Sequence, residues 1–213
     1  MREQYTKQVV THADLLPARV GKQKTIDYLL DRTLMRPRDM LQYFNACIKQ
    51  ADGKPDIKLT ALREAEGIYS RERLRALADE WYGLYPNLFH LTNLLKRKPP
   101  IFTVRELPIR ELEENYLELL VSGQSVDGLD GQLMKMVFEE AISLSEYRLN
   151  IILIFYKVGL VGVKIEPFNT TSWADSGGVN VSRAEVTDET RMSIHKTFWR
   201  CLGVSEAVQE EDV

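Results

Sequence analysis

Apolar positions in the first part of the chain recur at helical spacing. Ile26, Leu29, Leu30 and Leu34 share one face of a short helix predicted from Thr25 to Leu34. Arg36-Pro37-Arg38-Asp39 opens the next, because a proline fits the first turn, where its missing N–H has no helical partner. Met40, Leu41, Phe44, Cys47, Ile48 and Ala51 continue that helix, and Asp52-Gly53-Lys54-Pro55 ends it with a left-handed glycine cap and a proline stop. Thr60 begins a third helix with Ala61, Leu62, Ala65 and Ile68 on its apolar side. Its capping box is imperfect, since Arg63 stands where a glutamate is wanted and Glu64 comes one residue late. Ser70 is read as the cap of a further helix, Arg71 to Tyr82.

The character of the chain changes near Pro86. Leu88, Leu91, Leu94 and Leu95 form a compact helix that stops at Lys96-Arg97-Lys98-Pro99-Pro100. Ile101 to Thr103 reads as a short strand, and Val104 to Val121 as a helix kinked or restarted at Pro108. The Gly/Ser/Asp-rich stretch Ser122 to Gly131 is a loop. Helices follow at about Gln132 to Ile142 and Ser145 to Val158. The period then becomes strand-like over Gly159 to Ile165, with Glu189 to His195 as partner and Ser176-Gly177-Gly178 as the tip between them. Helix, short strand, helices and a two-stranded ribbon is the layout of a winged helix-turn-helix. The predicted fold is therefore mainly α. A helical bundle occupies residues 1–85, a winged-helix domain with a small β-hairpin 86–205, and an acidic tail 206–213.

Composition narrows the function. The 213 residues are 44% hydrophobic and 28% charged, the balance of a globular protein. A net charge of −3 supplies no global attraction to nucleic acid, so any such contact needs a local patch. The longest apolar run, Ile151 to Tyr156, is far short of the roughly 20 residues that span a bilayer. With no apolar signal core at the N-terminus, the expected address is the cytoplasm, without membrane association. Cys47 and Cys201 have apolar neighbours and read as buried thiols.

No catalytic constellation emerges. Gly21-Lys22-Gln23-Lys24-Thr25 is the nearest approach to a phosphate-cradling loop, but it lacks the preceding glycine and strand. His12, His90 and His195 have no carboxylate or cysteine at ligand spacing, so no metal is expected. Ser125 and Ser145 lack a nucleophile-elbow context. Arg36-Pro37-Arg38-Asp39 is the most suggestive feature. Two arginines at a helix start oppose the helix dipole unless an anion or a carboxylate sits there. They either aim at a phosphate, or Arg38 pairs with Asp39 or with a neighbouring acid such as Asp31. Lys96, Arg97, Lys98 and Arg148 are the candidates for nucleic-acid contact. The helix carrying Arg148 and Asn150, however, has an apolar middle, Leu149 and Ile151 to Phe155, unsuited to reading a major groove. Arg71, Arg73 and Arg75 alternate with acids and read as a solvated face.

Leu34-Met35-Arg36-Pro37-Arg38-Asp39-Met40-Leu41-Gln42-Tyr43-Phe44-Asn45 resembles the start of the lid segment in bacterial P-loop ATPases of the AAA+/STAND-like superfamily. Ile68-Tyr69-Ser70, Asp79-Glu80-Trp81-Tyr82 and Tyr85-Pro86 are similar to the same lid region. Phe155 to Lys164 and Ile194 to Phe198 resemble a winged-helix domain running into its wing and leaving it. The resemblance spans roughly Asp27 to Leu202. It implies that Arg38 senses the terminal phosphate of a nucleotide, with Arg36 assisting. The Walker A and B segments of that superfamily are missing here, so the chain is expected to be a fragment, a truncated product or a subunit. It would hold no cofactor of its own and meet ATP only with an external core. Such ATPases act as switches in bacterial stress or phage defence, which is the setting implied. The expected function is a non-catalytic regulatory module with a protein partner or ATPase core, and oligomerisation is compatible with it. The alternatives are a stand-alone winged-helix DNA-binding regulator and a structural adaptor or oligomerisation module.

Overall fold

The computed structural model describes residues 11–107, 109–122, 127–166, 170–174 and 181–204. Two compact units divide the chain, Met1–Glu72 and Arg73–Val213. Pro108, Ser125, the Ser176-Gly177-Gly178 tip and the acidic tail, for which sequence expectations are given above, lie outside the described residues.

The first unit opens with the single-turn helix α1 (His12–Leu15) and a two-stranded hairpin, β1 (Arg19–Val20) and β2 (Gln23–Lys24). Arg19 lies opposite Lys24 and Val20 opposite Gln23, which leaves Gly21-Lys22 as the turn. Gly21 has φ +60, and glycine at the first turn position is what a tight hairpin of this kind favours. The stretch that looked faintly like a phosphate loop is thus a hairpin turn. α2 (Thr25–Asp31) follows directly, its Thr25 hydroxyl donating to the Pro17 carbonyl. α3 (Pro37–Gln50) then begins with Pro37, preceded by Arg36 in the extended conformation that a following proline imposes. The core gathers Leu29 of α2, Tyr43 and Cys47 of α3, and Leu62, Ala65 and Tyr69 of α4 (Leu59–Trp81). Burial pushes the Cys47 thiol up to about 12, which suits an inert core thiol.

α4 is one continuous helix of 23 residues, where a break at Ser70 was expected. Ser70 is fully buried in its interior. Neither proline nor a left-handed residue interrupts the segment, and the burial of Ala65, Tyr69, Leu74 and Leu77 carries the helix past the serine.

The second unit contains α5 (Leu88–Leu91), which tightens into a 3-10 turn over Thr92–Leu95. Strand β3 (Ile101–Thr103) and a 3-10 turn (Val104–Glu106) precede α6 (Ile109–Val121), so of the kink or restart expected in this segment, the chain shows the restart. α7 (Leu129–Phe138) begins earlier than expected, because Gly128 and the buried Asp130 organise its first turn. Asp130 accepts from the Asn87 and Gly131 N–H groups. α8 (Leu144–Lys157) starts at a Ser143 cap that accepts from the Glu146 N–H. β4 (Val161–Lys164), β5 (Arg191–Ile194) and the short α9 (Trp199–Leu202) complete the unit. The antiparallel sheet runs β3-β5-β4, with Phe102 opposite Met192 and Val163 opposite Met192 on the other side. Gly162 must be glycine-sized, since a Cβ there would lie 2.5 Å from Thr171 and 2.7 Å from Trp173. A strand before the helices that joins the two wing strands is the winged-helix arrangement. The fold is mainly helical with small antiparallel sheets.

α8 is the centre of this unit. Tyr147, Ile151, Ile152, Ile154, Phe155 and Tyr156 are all buried, and α6, α7 and β4 pack against the helix. The exposed residues of the helix, Ser145, Glu146 and Lys157, include a single cation, which is little with which to approach a DNA groove.

Candidate functional site

The start of α3 is a run of exposed residues, Met35 to Arg38, followed by one buried residue, Asp39. Arg36 stands in extended conformation as the residue before the helix, and Pro37 occupies the first turn with Arg38 beside it. Both arginines are exposed, whereas Asp39, the third helical residue, is buried. Placing a carboxylate inside the first turn satisfies the positive end of the helix dipole from within. The arginines therefore have no structural task at the helix end. Arg38 pairs with neither Asp39 nor Asp31, and Asp31 instead accepts from the Gln23 side-chain amide at 3.0 Å. Neither Arg36 nor Arg38 enters an ion pair or hydrogen bond among the described residues. The Asp39 and Met40 N–H groups both donate to the Arg36 carbonyl, at 3.0 and 3.2 Å. Recognition of an anion here would rest on the guanidiniums, which favour bidentate pairing with phosphate or carboxylate oxygens.

Beneath this exposed turn, the residues leading to α3 belong to a buried polar network. Arg32 Nε donates to Glu66 Oε1 at 2.9 Å, and the Tyr28 hydroxyl donates to Glu66 Oε2 at 2.7 Å. The Arg32 guanidinium also lies 3.6 Å from the centre of the Tyr28 ring. Tyr43 and Tyr69 stack beside it, ring centres 5.0 Å apart and planes within 5°. Burial, with the Glu66 charge adding to it, holds the Tyr43 hydroxyl far above its ordinary titration range. Glu66 ties α4 to α2 and so fixes where the chain turns into α3. Sequence reasoning missed this network, although one signal was present. Glu66 falls four residues after Leu62, on the apolar side of a helix, where a buried charge requires a partner.

In the second unit two of the four predicted cations, Arg148 and Lys98, have been claimed by acids. Arg148, expected to be free for nucleic acid, is buried and donates to Asp188 Oδ1 at 2.7 Å. That expectation is corrected, because the enclosure of α8 turns this guanidinium toward the segment before β5. Lys98 pairs with Glu111 at 2.8 Å with little of its side chain exposed. Lys96 and Arg97 are exposed, and Arg97 adopts a left-handed conformation, φ +58, while its N–H donates to the Leu202 carbonyl. The four residues form no continuous basic patch.

The remaining chemistry is structural. His195 Nδ1 accepts from the Thr197 N–H and its ring meets Trp173 edge-on. His90 lies 3.5 Å from Glu118. Burial pushes the Asp130 carboxyl up, opposed by the N–H donors it accepts from. Among the described residues no three His, Cys, Asp or Glu side chains are grouped to hold a metal, and no helix is long and apolar enough to cross a membrane.

Residues 1–78 match the model of a family described as the FunZ-associated C-terminal helical domain. No curated protein and no solved structure matches the chain. The matched residues are similar to a C-terminal helical domain of a larger protein, and they include the Arg36/Arg38 turn and the network beneath it.

Proposed function

We propose that the chain is a non-catalytic regulatory module whose first unit presents Arg36 and Arg38 to the phosphates of a nucleotide held by a core outside the described residues. The single observation that carries this reading is that both guanidiniums are exposed and unengaged at the start of α3, while Arg32 close by is committed to Glu66. Arginines kept out of internal pairing at a rigid helix end are suited to a charged ligand that arrives from elsewhere. Similarity to a C-terminal helical domain agrees with a module appended to such a core. The resemblance of Leu34 to Asn45 to an ATPase lid supports ATP as the nucleotide and Arg38 as its sensor.

The reading is tested by mixing the full chain with a recombinant P-loop ATPase core and measuring ATP turnover. Arg38→Ala should remove the effect of the chain on turnover by roughly tenfold or more, equivalent to about 1.4 kcal/mol of transition-state stabilisation, and Arg36→Ala should remove less. Turnover that is unchanged by Arg38→Ala defeats the sensor assignment.

A further inference from the structure

We infer that the solvent face of α3 is a docking surface for an acidic amphipathic helix of a protein partner. α3 buries Asp39, Tyr43, Ala46 and Cys47, and this face holds the helix to its unit. The opposite stripe exposes Arg38, Leu41, Gln42, Asn45, Ile48 and Lys49, at the three- and four-residue spacing of a helix–helix seam. Leu41 is 63% exposed and Ile48 38% exposed. They stand seven residues apart, about 10.5 Å along the axis at 1.5 Å per residue. Beside the stripe a groove of about 210 Å³ runs between α3 and α4, lined by Gln42, Asn45, Ala46, Lys49, Ile68 and Glu72 among others. It has room for an inserted side chain.

Charge selects the occupant. Asp39 is the sole acid in α3 and is buried, so this helix shows solvent only cations, and neither Arg38 nor Lys49 has a partner among the described residues. Pairing with a second copy of α3 would bring Arg38 against Lys49 in the antiparallel sense, or like residue against like in the parallel sense. Both arrangements are repulsive. A membrane is a poor match, because α3 is anchored by Tyr43 and Cys47 and offers only Leu41 and Ile48 for insertion. A partner helix with apolar residues seven apart would cover Leu41 and Ile48. Its flanking carboxylates would meet Arg38 and Lys49, and Asn45 between the apolar pair would favour a single register. Arg38 is shared with the anion site but Leu41, Ile48 and Lys49 are not, so Leu41→Ser/Ile48→Ser tests this surface apart from the nucleotide reading.

The test is fluorescence anisotropy of three labelled helical peptides titrated with the full chain. One is acidic and amphipathic with a leucine seam, one replaces its glutamates by lysine, and one scrambles the acidic composition. The acidic amphipathic peptide should bind at least roughly tenfold more tightly than the others. Leu41→Ser/Ile48→Ser should weaken it roughly tenfold or more, Arg38→Glu/Lys49→Glu should reverse the preference toward the basic peptide, and Arg36→Ala should leave it unchanged. All five substituted positions are exposed, and matching melting temperatures will show that the variants fold. Several results overturn the proposal: equal binding of the scrambled peptide, full binding by Leu41→Ser/Ile48→Ser, no binding of any peptide, sedimentation with phosphatidylglycerol vesicles, or a dimer in light scattering that Leu41→Ser/Ile48→Ser abolishes.

Discussion

The two units treat their basic residues in opposite ways. In the first, one arginine is taken inside, where Arg32 meets Glu66 and Tyr28, and the cations of α3 are left without partners. In the second, several basic residues are held by acids, although Lys96 and Arg97 stay exposed. Arg148 meets Asp188, Lys98 meets Glu111, and Arg105 meets Glu189. The second unit also encloses α8, the helix a winged-helix DNA reader would use. A cation is available to a ligand only if the fold has not already given it a carboxylate, and Arg38 and Lys49 of α3 meet that condition.

The sharpest way to break the contrast is at the buried pair. Glu66→Ala leaves the Arg32 guanidinium and the Tyr28 hydroxyl without their acceptor inside the core. It should cost about 3–5 kcal/mol, read as an early transition of the first unit in urea or by hydrogen exchange. A loss below about 1 kcal/mol would show that the network is dispensable. Next in size is Arg148→Ala. Asp188 is half-exposed and regains water, so the cost should be about 1.5–3 kcal/mol, with no change in a low-salt gel shift against random duplex. Weaker duplex binding in that variant would return Arg148 to the nucleic-acid reading. Arg36→Ala and Arg38→Ala should change stability by no more than about 0.5 kcal/mol, because neither side chain is used within the fold. That neutrality sets them apart from Arg148.

The smallest effect concerns pH. Glu106 caps the turn after β3 by accepting from the Thr103 N–H at 2.6 Å and from its hydroxyl at 2.8 Å, and these bonds hold its carboxyl below the ordinary value. A carboxyl lowered by folding contributes stability above the unfolded value, which is lost as pH falls through the folded one. Glu106→Gln should therefore matter at neutral pH and cease to matter in strong acid, by at most about 0.5 kcal/mol for so exposed a group. Thermal melts of both proteins at about pH 3 and pH 7 read the difference. Asp130 works in the opposite sense. Burial raises its carboxyl, so its contribution is present at low pH and lost as pH rises through the raised value.

Much of the architecture was legible from local pattern. Pro37 marks the first turn of α3, the all-round apolar stretch Ile151 to Tyr156 marks a buried helix, and the glycine-punctuated strands mark the wing. The β1–β2 hairpin was not legible, since strands of two residues have no period to detect. Nor was the continuity of α4, because a serine has similar local standing as a cap and as an interior residue, and only burial decides between them.

By itself, then, the sequence determined the mainly helical class, the winged-helix order of elements and the position of the arginine turn. All three depend on residues within a few positions of one another. Tertiary structure alone decided which charges remain available. Arg148 meets an aspartate 40 residues away and Arg32 a glutamate 34 residues away. Pairing at that distance depends on how helices and strands come together, and periodicity along one element carries no record of it.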